Sequence, residues 1–258
     1  MRKAIFFILF FFLFYHAKFT KSYLTVSVEI FDDGSAKVRE EIRFRVEGTQ
    51  DIDLYEMYLK SINDLSGWRS RLNIDELRYH LDPSKVQIYD TKVYPYKLDT
   101  CDIYKTSCYG LLAFEYKIKE PIEDKGIVKV EKYQRPRVIT YKIDSKVFSF
   151  ETTPVGSYLP DYTTLEIKIP ESKILVLQPL PVEYETKPNF AGKFTYQGRM
   201  KIEDLQIIYE KKESLVDEIS HFSFDLANSF SKWVTSKEGI MISIVAIILI
   251  ISYFLLKK

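Results

Sequence analysis

The stretch YLTVSVEIFDDGSAKVREEIRFRV, residues 23–46, decides the fold class of this chain. In residues 23–30 apolar side chains alternate with Thr, Ser and Glu, which is the period of a β-strand with one buried face. The segment Asp-Asp-Gly-Ser at 32–35 is a turn signal. In residues 36–46 charged side chains again stand opposite apolar ones. The stretch therefore predicts a β-hairpin with one face in the core and the other in water.

Alternation of this kind continues along the chain and predicts further strands. They are expected at 85–94, 109–119, 127–133, 137–143, 147–151, 163–169, 173–177, 193–197 and 204–209. Apolar residues at helical spacing predict one short helix over 51–65, ended by Ser66-Gly67. The predicted fold class is therefore mainly β. We expect an antiparallel β-sandwich ectodomain over residues 23–210, as one unit or as two units that meet near residue 120.

The first 22 residues have the pattern of an export signal. A short basic start, Met1-Arg2-Lys3, precedes an unbroken apolar run from Ala4 to Tyr15. Such a run measures about 18 Å as a helix, too short for a hydrocarbon core of about 30 Å. Neither candidate cleavage site fully matches the small-residue pattern. Residues 1–22 are therefore interpreted as a signal peptide or, if extended to Phe19 and not cleaved, as an N-terminal signal anchor.

The C-terminal segment 237–258 has the pattern of a transmembrane helix with a basic tail. Residues 239–256, GIMISIVAIILIISYFLL, contain no charge, and Lys257-Lys258 follows them. Trp233 and Tyr253 lie near the two ends of the run, where amphipathic rings favour the membrane interface. Because basic residues stay inside, the C-terminus is expected in the cytoplasm and residues 23–210 outside. The expected localisation is the cell membrane, single-pass, or two-pass if the N-terminal segment is retained.

A second amphipathic element is expected just before the span. Ser214 and Asp217 have the spacing of a helix cap with an acid in the first turn, which predicts a juxtamembrane helix within residues 211–236. This helix can pack on the ectodomain, lie on lipid headgroups or pair with a second copy. Its apolar residues form an interaction stripe at intervals of three or four: Leu215, Ile219, Phe222, Leu226 and Phe230.

The net charge of +1 averages over these segments. Five basic residues lie at the two ends, so residues 19–238 hold 32 of the 37 basic residues and all 36 acidic ones, a net charge of 32 − 36 = −4. A mildly acidic ectodomain has no net positive charge with which to attract nucleic acid. The expected partners are the lipid bilayer and other membrane or envelope proteins, or a second copy of the chain.

Cys101 and Cys108 are the two cysteines of the sequence, with six residues between them. An even pair in an exported domain predicts a disulfide, although free thiols and a metal site remain alternatives. A metal site needs about four ligands, and the sequence places no second Cys or His pair nearby.

Signatures of catalysis and of cofactor binding are absent from the sequence. It contains no HExxH, GxSxG, P-loop or GxGxxG pattern, and no cofactor or metal is expected. The sequence therefore predicts a protein that is not an enzyme. A hydrolase with paired carboxylates is the remaining enzymatic alternative, because acids on neighbouring strands would look no different.

Several segments together carry a family resemblance. They are VSVEIFDDGSAKVREEIRF at 26–44, LEIKIPESKILVLQPLPVEYE at 165–185, KFTYQG at 193–198 and LQIIYE at 205–210. About a third of the chain thus resembles uncharacterised archaeal membrane-anchored proteins, through its rhythm of strands and prolines. The resemblance implies a β-sandwich ectodomain with a C-terminal transmembrane helix, and it implies no activity.

Three functional hypotheses follow. The first is a membrane-anchored cell-surface protein that displays its β-rich domain for binding or envelope assembly. The second is an accessory subunit of a membrane complex, assembled through the 214–235 helix and the span. The third is the extracytoplasmic hydrolase. The ligand and the oligomeric state have no signal in the sequence.

Overall fold

The computed structural model describes residues 19–122, 125–135, 138–154, 156–187 and 190–212, and single helical positions at 219, 223, 229, 231 and 232. Its strands are β1 (Phe19–Ile30), β2 (Ala36–Glu47), β3 (Ile88–Pro95), β4 (Ser107–Ile118), β5 (Val128–Arg135), β6 (Val138–Ile143), β7 (Glu151–Thr153), β8 (Gly156–Tyr158), β9 (Thr163–Pro170), β10 (Lys173–Gln178), β11 (Glu183–Lys187), β12 (Phe190–Gln197) and β13 (Gln206–Lys212). The helices are α1 (Thr49–Ser61) and α2 (Leu65–Leu72). The prediction of a mainly β chain is confirmed.

Seven strands form the larger sheet, in the order β11-β12-β9-β1-β2-β4-β3. The predicted hairpin lies at its centre, where β1 pairs antiparallel with β2 from Phe19↔Val46 to Ile30↔Ala36. The pair between β1 and β9 is parallel, which departs from the predicted antiparallel arrangement. A parallel pair needs a long connection. The chain from Ile30 to Thr163 supplies one, and local alternation does not show which distant strands will meet.

The remaining strands form a four-stranded sheet, β10-β13-β6-β5, and the small hairpin β7-β8. The chain divides into two compact units. Among the described residues, the first unit holds those up to Lys132 together with Thr140–Lys211, and the second holds those of Tyr133–Ile139 and Lys212 onward. Both sheets bury apolar side chains from alternate positions, such as Val26 and Val28 on β1 and Ile207 and Tyr209 on β13.

An aromatic cluster fills the core beside α1 and α2. The ring of Phe44 lies 6.1 Å from that of Phe19 and 5.5 Å from that of Tyr55, whose ring is in turn 5.5 Å from that of Trp68. Phe44 pairs with Gly110 on β4, and a Cβ at Gly110 would meet the Phe44 ring at 2.5 Å. The glycine is therefore needed for close packing of this ring against the strand.

The predicted helix over 51–65 is confirmed by α1, but it ends at Ser61 and a second helix follows. Ile62 is extended after α1, and the Asp64 side chain then accepts a hydrogen bond from the backbone N–H of Gly67, 2.8 Å away. Asp64 therefore caps α2, which contains Ser66-Gly67, so these residues do not end a helix. The strand expected at 147–151 is also wrong over most of its length, since Ser145–Val147 forms a 3-10 turn and β7 begins at Glu151.

The larger sheet has two ends that differ in chemistry. At one end, called the disulfide end, β2 finishes opposite the start of β4: Glu47 pairs with Ser107, the residue just before Cys108. At the other, called the turn end, Ala36 pairs with Ile118 beside the Asp32–Ser35 turn. The 12 residues of β2 separate the two ends by about 36 Å.

Candidate functional site

The face of the larger sheet that points away from the core carries a row of paired polar side chains. Strand register aligns Glu166 on β9 with Ser27 on β1, Ser27 with Arg39 on β2, and Arg39 with Glu115 on β4. Ser27 Oγ donates to Glu166 Oε2 at 2.8 Å, and Lys193 Nζ lies 2.6 Å from Glu166 Oε1. The row therefore crosses five neighbouring strands, from Lys193 on β12 to Glu115 on β4.

Arg39 is the centre of this row. Its Nε donates to Glu41 Oε1 at 2.7 Å, its Nη1 donates to Glu115 Oε1 at 2.7 Å, and its Nη2 donates to the Tyr96 hydroxyl at 3.1 Å. The guanidinium carbon lies 5.9 Å from the centre of the Tyr94 ring, within the range of a cation–π contact. We call Lys37, Arg39, Glu41, Tyr94, Tyr96 and Glu115 the Arg39 cluster.

The charges of the Arg39 cluster are internally balanced. Lys37 Nζ lies 3.1 Å from Glu115 Oε2, so two cations face two carboxylates. Partial burial alone would raise the pKa of Glu115, but hydrogen bonds from Arg39 and Lys37 outweigh it and hold this pKa below the ordinary value. Burial likewise lowers the pKa of Arg39, and its hydrogen bonds with Glu115, Tyr96 and Glu41 outweigh that effect, so the pKa is raised.

What the Arg39 cluster offers to a ligand follows from this balance. Three N–H donors of the planar Arg39 guanidinium are held in place by hydrogen bonds. The side chains of Tyr94 and Tyr96 beside it are 36% and 40% exposed. Ala113 on β4 pairs with Tyr94 on one side and Glu41 on the other, and it is fully buried. A charge-balanced, ordered surface with exposed aromatic rings is suited to polar contacts with a partner.

A second polar cluster lies inside the domain and was not predicted from the sequence. Glu40 on β2 accepts hydrogen bonds from the His80 backbone N–H at 3.0 Å, from His80 Nδ1 at 2.5 Å and from the Tyr116 hydroxyl at 2.6 Å. Glu40 stands between Val38 and Ile42, at a position where alternation expects an inward side chain. A glutamate at an inward position of an alternating strand is the sequence feature that could have indicated a buried polar cluster.

The Glu40 cluster is sealed from solvent. Glu40 and Tyr116 are 0% exposed and His80 is 2% exposed. Burial, together with the charge and hydrogen bond of Glu40, raises the pKa of Tyr116 well above its ordinary value, so its hydroxyl stays a donor. The His80 carbonyl also accepts from the Ser149 N–H at 2.8 Å, which ties the cluster to a second segment. The cluster therefore joins β2, β4 and the segment around His80 by hydrogen bonds that are closed to solvent.

The two cysteines lie at the disulfide end. In the structure Cys101 and Cys108 are joined, with an S–S distance of 2.02 Å. Within the loop, the Asp102 carboxylate accepts from the Thr106 backbone N–H at 2.6 Å, and Gly48 N–H donates to the Thr106 carbonyl at 2.7 Å. The loop is thereby fixed at its base and across its middle, while Ile103 and Tyr104 at its tip are exposed.

The other predicted site residues lie mostly beyond the described part of the chain. Trp233, Tyr253, Leu215, Phe222, Leu226 and Phe230 fall outside it, as does the predicted span at 239–256. Ile219 is described, has helical backbone and is largely exposed. Within the residues described, no helix combines the length and the apolar character that a membrane crossing requires. Among the same residues no group of three His, Cys, Asp or Glu side chains is placed to hold a metal ion.

Comparison with known proteins gives no family. No protein-family model matches the chain, and no curated protein matches it. Among solved structures it is similar to native yeast LTA4 hydrolase at 9% sequence identity and a TM-score of 0.33. That similarity covers 75% of this chain and 29% of the hydrolase chain. A likeness this remote transfers neither fold nor activity.

Proposed function

We propose that this chain is a non-enzymatic, membrane-anchored cell-surface protein whose β-sandwich ectodomain binds a partner through its outer sheet face. The sequence supplies the membrane part, since residues 239–256 carry no charge and precede a basic tail. The observation that carries the binding part is the Arg39 cluster, in which Glu41, Glu115 and Tyr96 fix the guanidinium beside two exposed tyrosines. Tyr and Arg are the residues most enriched at binding hot spots.

The Glu40 cluster supports a non-enzymatic role for the domain. Its carboxyl, imidazole and phenol groups are the types that acid–base catalysis uses, yet they are buried and fully engaged with each other. On the outer face the carboxylates of Glu41, Glu115 and Glu166 are each paired with a cation. Paired groups of this kind favour a fixed recognition surface over a hydrolytic site.

The membrane part is tested by protease added to intact cells. The proposal expects digestion of residues 23–210 and protection of a tag placed after Lys258. Protection of the middle of the chain would overturn it, whatever the binding surface does.

The binding part is tested by photo-crosslinking in intact cells. A crosslinker placed at Tyr96 is expected to capture a partner, and Arg39→Ala is expected to reduce that capture at least fivefold. The matched position is Lys129, an exposed lysine on β5 paired to Asp144 at 3.0 Å, where a crosslinker should capture nothing specific. Equal capture at both positions, or no effect of Arg39→Ala, contradicts the assignment of the outer face.

A second candidate, the accessory subunit, is favoured by one observation. Ile219 belongs to the predicted apolar stripe and is largely exposed. If this stripe assembles a membrane complex, polar replacement of Phe222, Leu226 and Phe230 will abolish co-purification, and Arg39→Ala will leave it intact. The opposite pattern favours the outer face.

A further inference from the structure

The residues around the disulfide form a short hairpin at the disulfide end of the larger sheet. Asp99 and Tyr109 exchange two backbone hydrogen bonds, at 2.8 and 3.0 Å. Further out, the Asp102 N–H donates to the Ser107 carbonyl at 2.9 Å, so the two arms of the hairpin stay paired up to these residues. The residues between them, 103–106, form the tip of the hairpin.

A β-turn at this tip has two apolar side chains at its corners. The Lys105 N–H donates to the Asp102 carbonyl at 3.0 Å, so Ile103 and Tyr104 occupy the two central positions of the turn. Turn corners usually hold Gly, Pro, Asn, Asp or Ser, because these residues favour the turn backbone. Ile and Tyr have no such advantage, so the backbone conformation does not explain their presence at this turn.

The two corner side chains are almost fully surrounded by solvent. Ile103 is 95% exposed and Tyr104 is 83% exposed. A single exposed apolar residue on a protein surface is normal, but two neighbours at one tip form a small apolar patch of their own. Because water disfavours contact with apolar surface, a partner that covers both side chains gains free energy.

Several contacts fix the tip before a partner binds. The disulfide between Cys101 and Cys108 closes its base. The Asp102 carboxylate accepts from the Thr106 N–H at 2.6 Å, and the Thr106 carbonyl accepts from the Gly48 N–H at 2.7 Å. An apolar anchor that is already rigid loses little conformational entropy on binding, which is how aromatic side chains on fixed loops recognise other proteins.

The charged side chains near the tip differ in their pairing. Arg45 Nη1 lies 3.1 Å from Glu47 Oε1, and Arg43 Nη2 lies 3.6 Å from Asp99 Oδ2. Lys105 directly follows the two apolar residues, is exposed, and has no ion pair with any residue that the structure describes. The tip therefore offers one free cation beside two apolar side chains.

A protein surface fits this pattern better than a lipid surface does. Stable attachment to a membrane takes a larger apolar surface or several basic residues, whereas the tip has two apolar side chains and one free lysine. The carboxylates of Asp99, Asp102 and Glu47 lie on the same hairpin and on the strand beside it, where anionic headgroups would repel them.

From these observations we propose that the 103–105 tip inserts into an apolar pocket of a partner protein, with a carboxylate of that partner against Lys105. Tyr104 supplies an aromatic anchor of the kind that is common at binding hot spots, and Ile103 fills the pocket beside it. The paired charges around the hairpin form the polar rim of this contact. The tip is a second interaction surface, beyond the one assigned to the Arg39 cluster.

The contact is tested by photo-crosslinking of the full chain in its own cells, with p-benzoylphenylalanine in place of Tyr104. Mass spectrometry of the crosslinked peptide shows whether the adduct is a protein or a lipid. We expect a protein adduct whose yield falls at least fivefold with Ile103→Ala and with Lys105→Glu. Both substitutions change exposed side chains, so an unchanged thermal unfolding curve is expected to show that the domain stays folded.

The matched control is a crosslinker at Tyr162, a tyrosine that is 72% exposed, where neither substitution should change the yield. The decisive measurement is the binding of the identified partner, once purified, to the purified full chain. Lys105→Glu should weaken this binding at least fivefold, and replacing one carboxylate of the partner by lysine should restore it.

A lipid adduct at 104, the absence of an adduct, or a protein adduct that Ile103→Ala leaves unchanged overturns the proposed contact. Failure of every charge reversal in the partner to restore binding overturns the assigned role of Lys105. The Arg39 cluster has its own test through the crosslinker at Tyr96. Since Arg39 and Glu47 are eight positions apart on β2, about 27 Å, a negative result at the tip does not count against the Arg39 cluster.

Discussion

His80 Nδ1 lies 2.5 Å from Glu40 Oε2, and the two residues are 40 positions apart in the sequence. Glu40 belongs to the central hairpin, while His80 belongs to the segment between α2 and β3, so the contact fastens an irregular segment to the sheet. The His80 ring also stacks on Phe150 at 5.3 Å. Polar networks that are buried and satisfied make a fold specific, and they are costly when one member is removed.

Glu40→Leu is expected to destabilise the domain severely. The substitution leaves His80 Nδ1, the His80 backbone N–H and the Tyr116 hydroxyl without their acceptor in the core, which costs about 3 kcal/mol. Thermal unfolding in detergent should show a fall in Tm of about 6–12 °C. Tyr116→Phe removes one donor and should cost about 1 kcal/mol.

The control for this prediction is Glu29→Leu, which changes an exposed glutamate on β1 in the same way. It should change stability by less than about 0.5 kcal/mol. If Glu40→Leu behaves like Glu29→Leu, the Glu40 cluster does not hold the fold together.

The contribution of Glu115 to the stability of the fold should be present at neutral pH and lost at acidic pH. Its folded-state pKa is lowered from the ordinary 4.5, because hydrogen bonds from Arg39 and Lys37 outweigh its partial burial. The stabilisation is therefore complete above pH 4.5 and is lost as the pH falls through the lowered pKa. Glu115→Gln should cost about 1 kcal/mol at pH 7 and almost nothing at pH 2. A cost that is the same at both pH values contradicts the ion-pair explanation.

The hairpin could be predicted because its signal is local. Period-2 alternation over residues 23–46 predicted two strands and a turn, and the structure has them at Phe19–Ile30 and Ala36–Glu47. The parallel pair of β1 and β9 could not be predicted this way, since it joins strands more than 130 residues apart. Short strands without a clear period, β8 and β11, also gave no signal.

The Arg39 cluster was likewise predictable only where its signal is local. Alternation correctly placed Arg39 and Glu41 on the polar face of β2, but it could not show that Tyr94, Tyr96 and Glu115 gather around Arg39. Predicting this cluster requires knowledge of which strands lie beside β4 in the sheet.

The close approach of Phe44 and Gly110 should appear as energetic coupling. A Cβ at residue 110 would lie 2.5 Å from Phe44 Cε2, so Gly110→Ala is expected to cost about 1–3 kcal/mol through overpacking. Phe44→Leu removes the conflicting ring atoms. The double variant should therefore be more stable than the sum of the two single costs predicts, by at least about 0.5 kcal/mol in urea denaturation. Additive costs would mean that the strand moves away from the ring instead.

Opening the disulfide should loosen the 101–108 loop without unfolding the domain. Cys101→Ser with Cys108→Ser removes the closure of a short loop, worth about 2 kcal/mol. The hydrogen bonds of Asp102 and Gly48 remain, so amide exchange should accelerate around residues 99–109 and stay unchanged in β1 and β2. Trypsin cuts after Lys105, between the cysteines, so in the parent chain the two peptides stay linked until reduction. Separate peptides with free thiols before reduction would show that the bridge does not form in the cell. Faster exchange throughout β1 and β2 would instead give the bridge a global role in the fold.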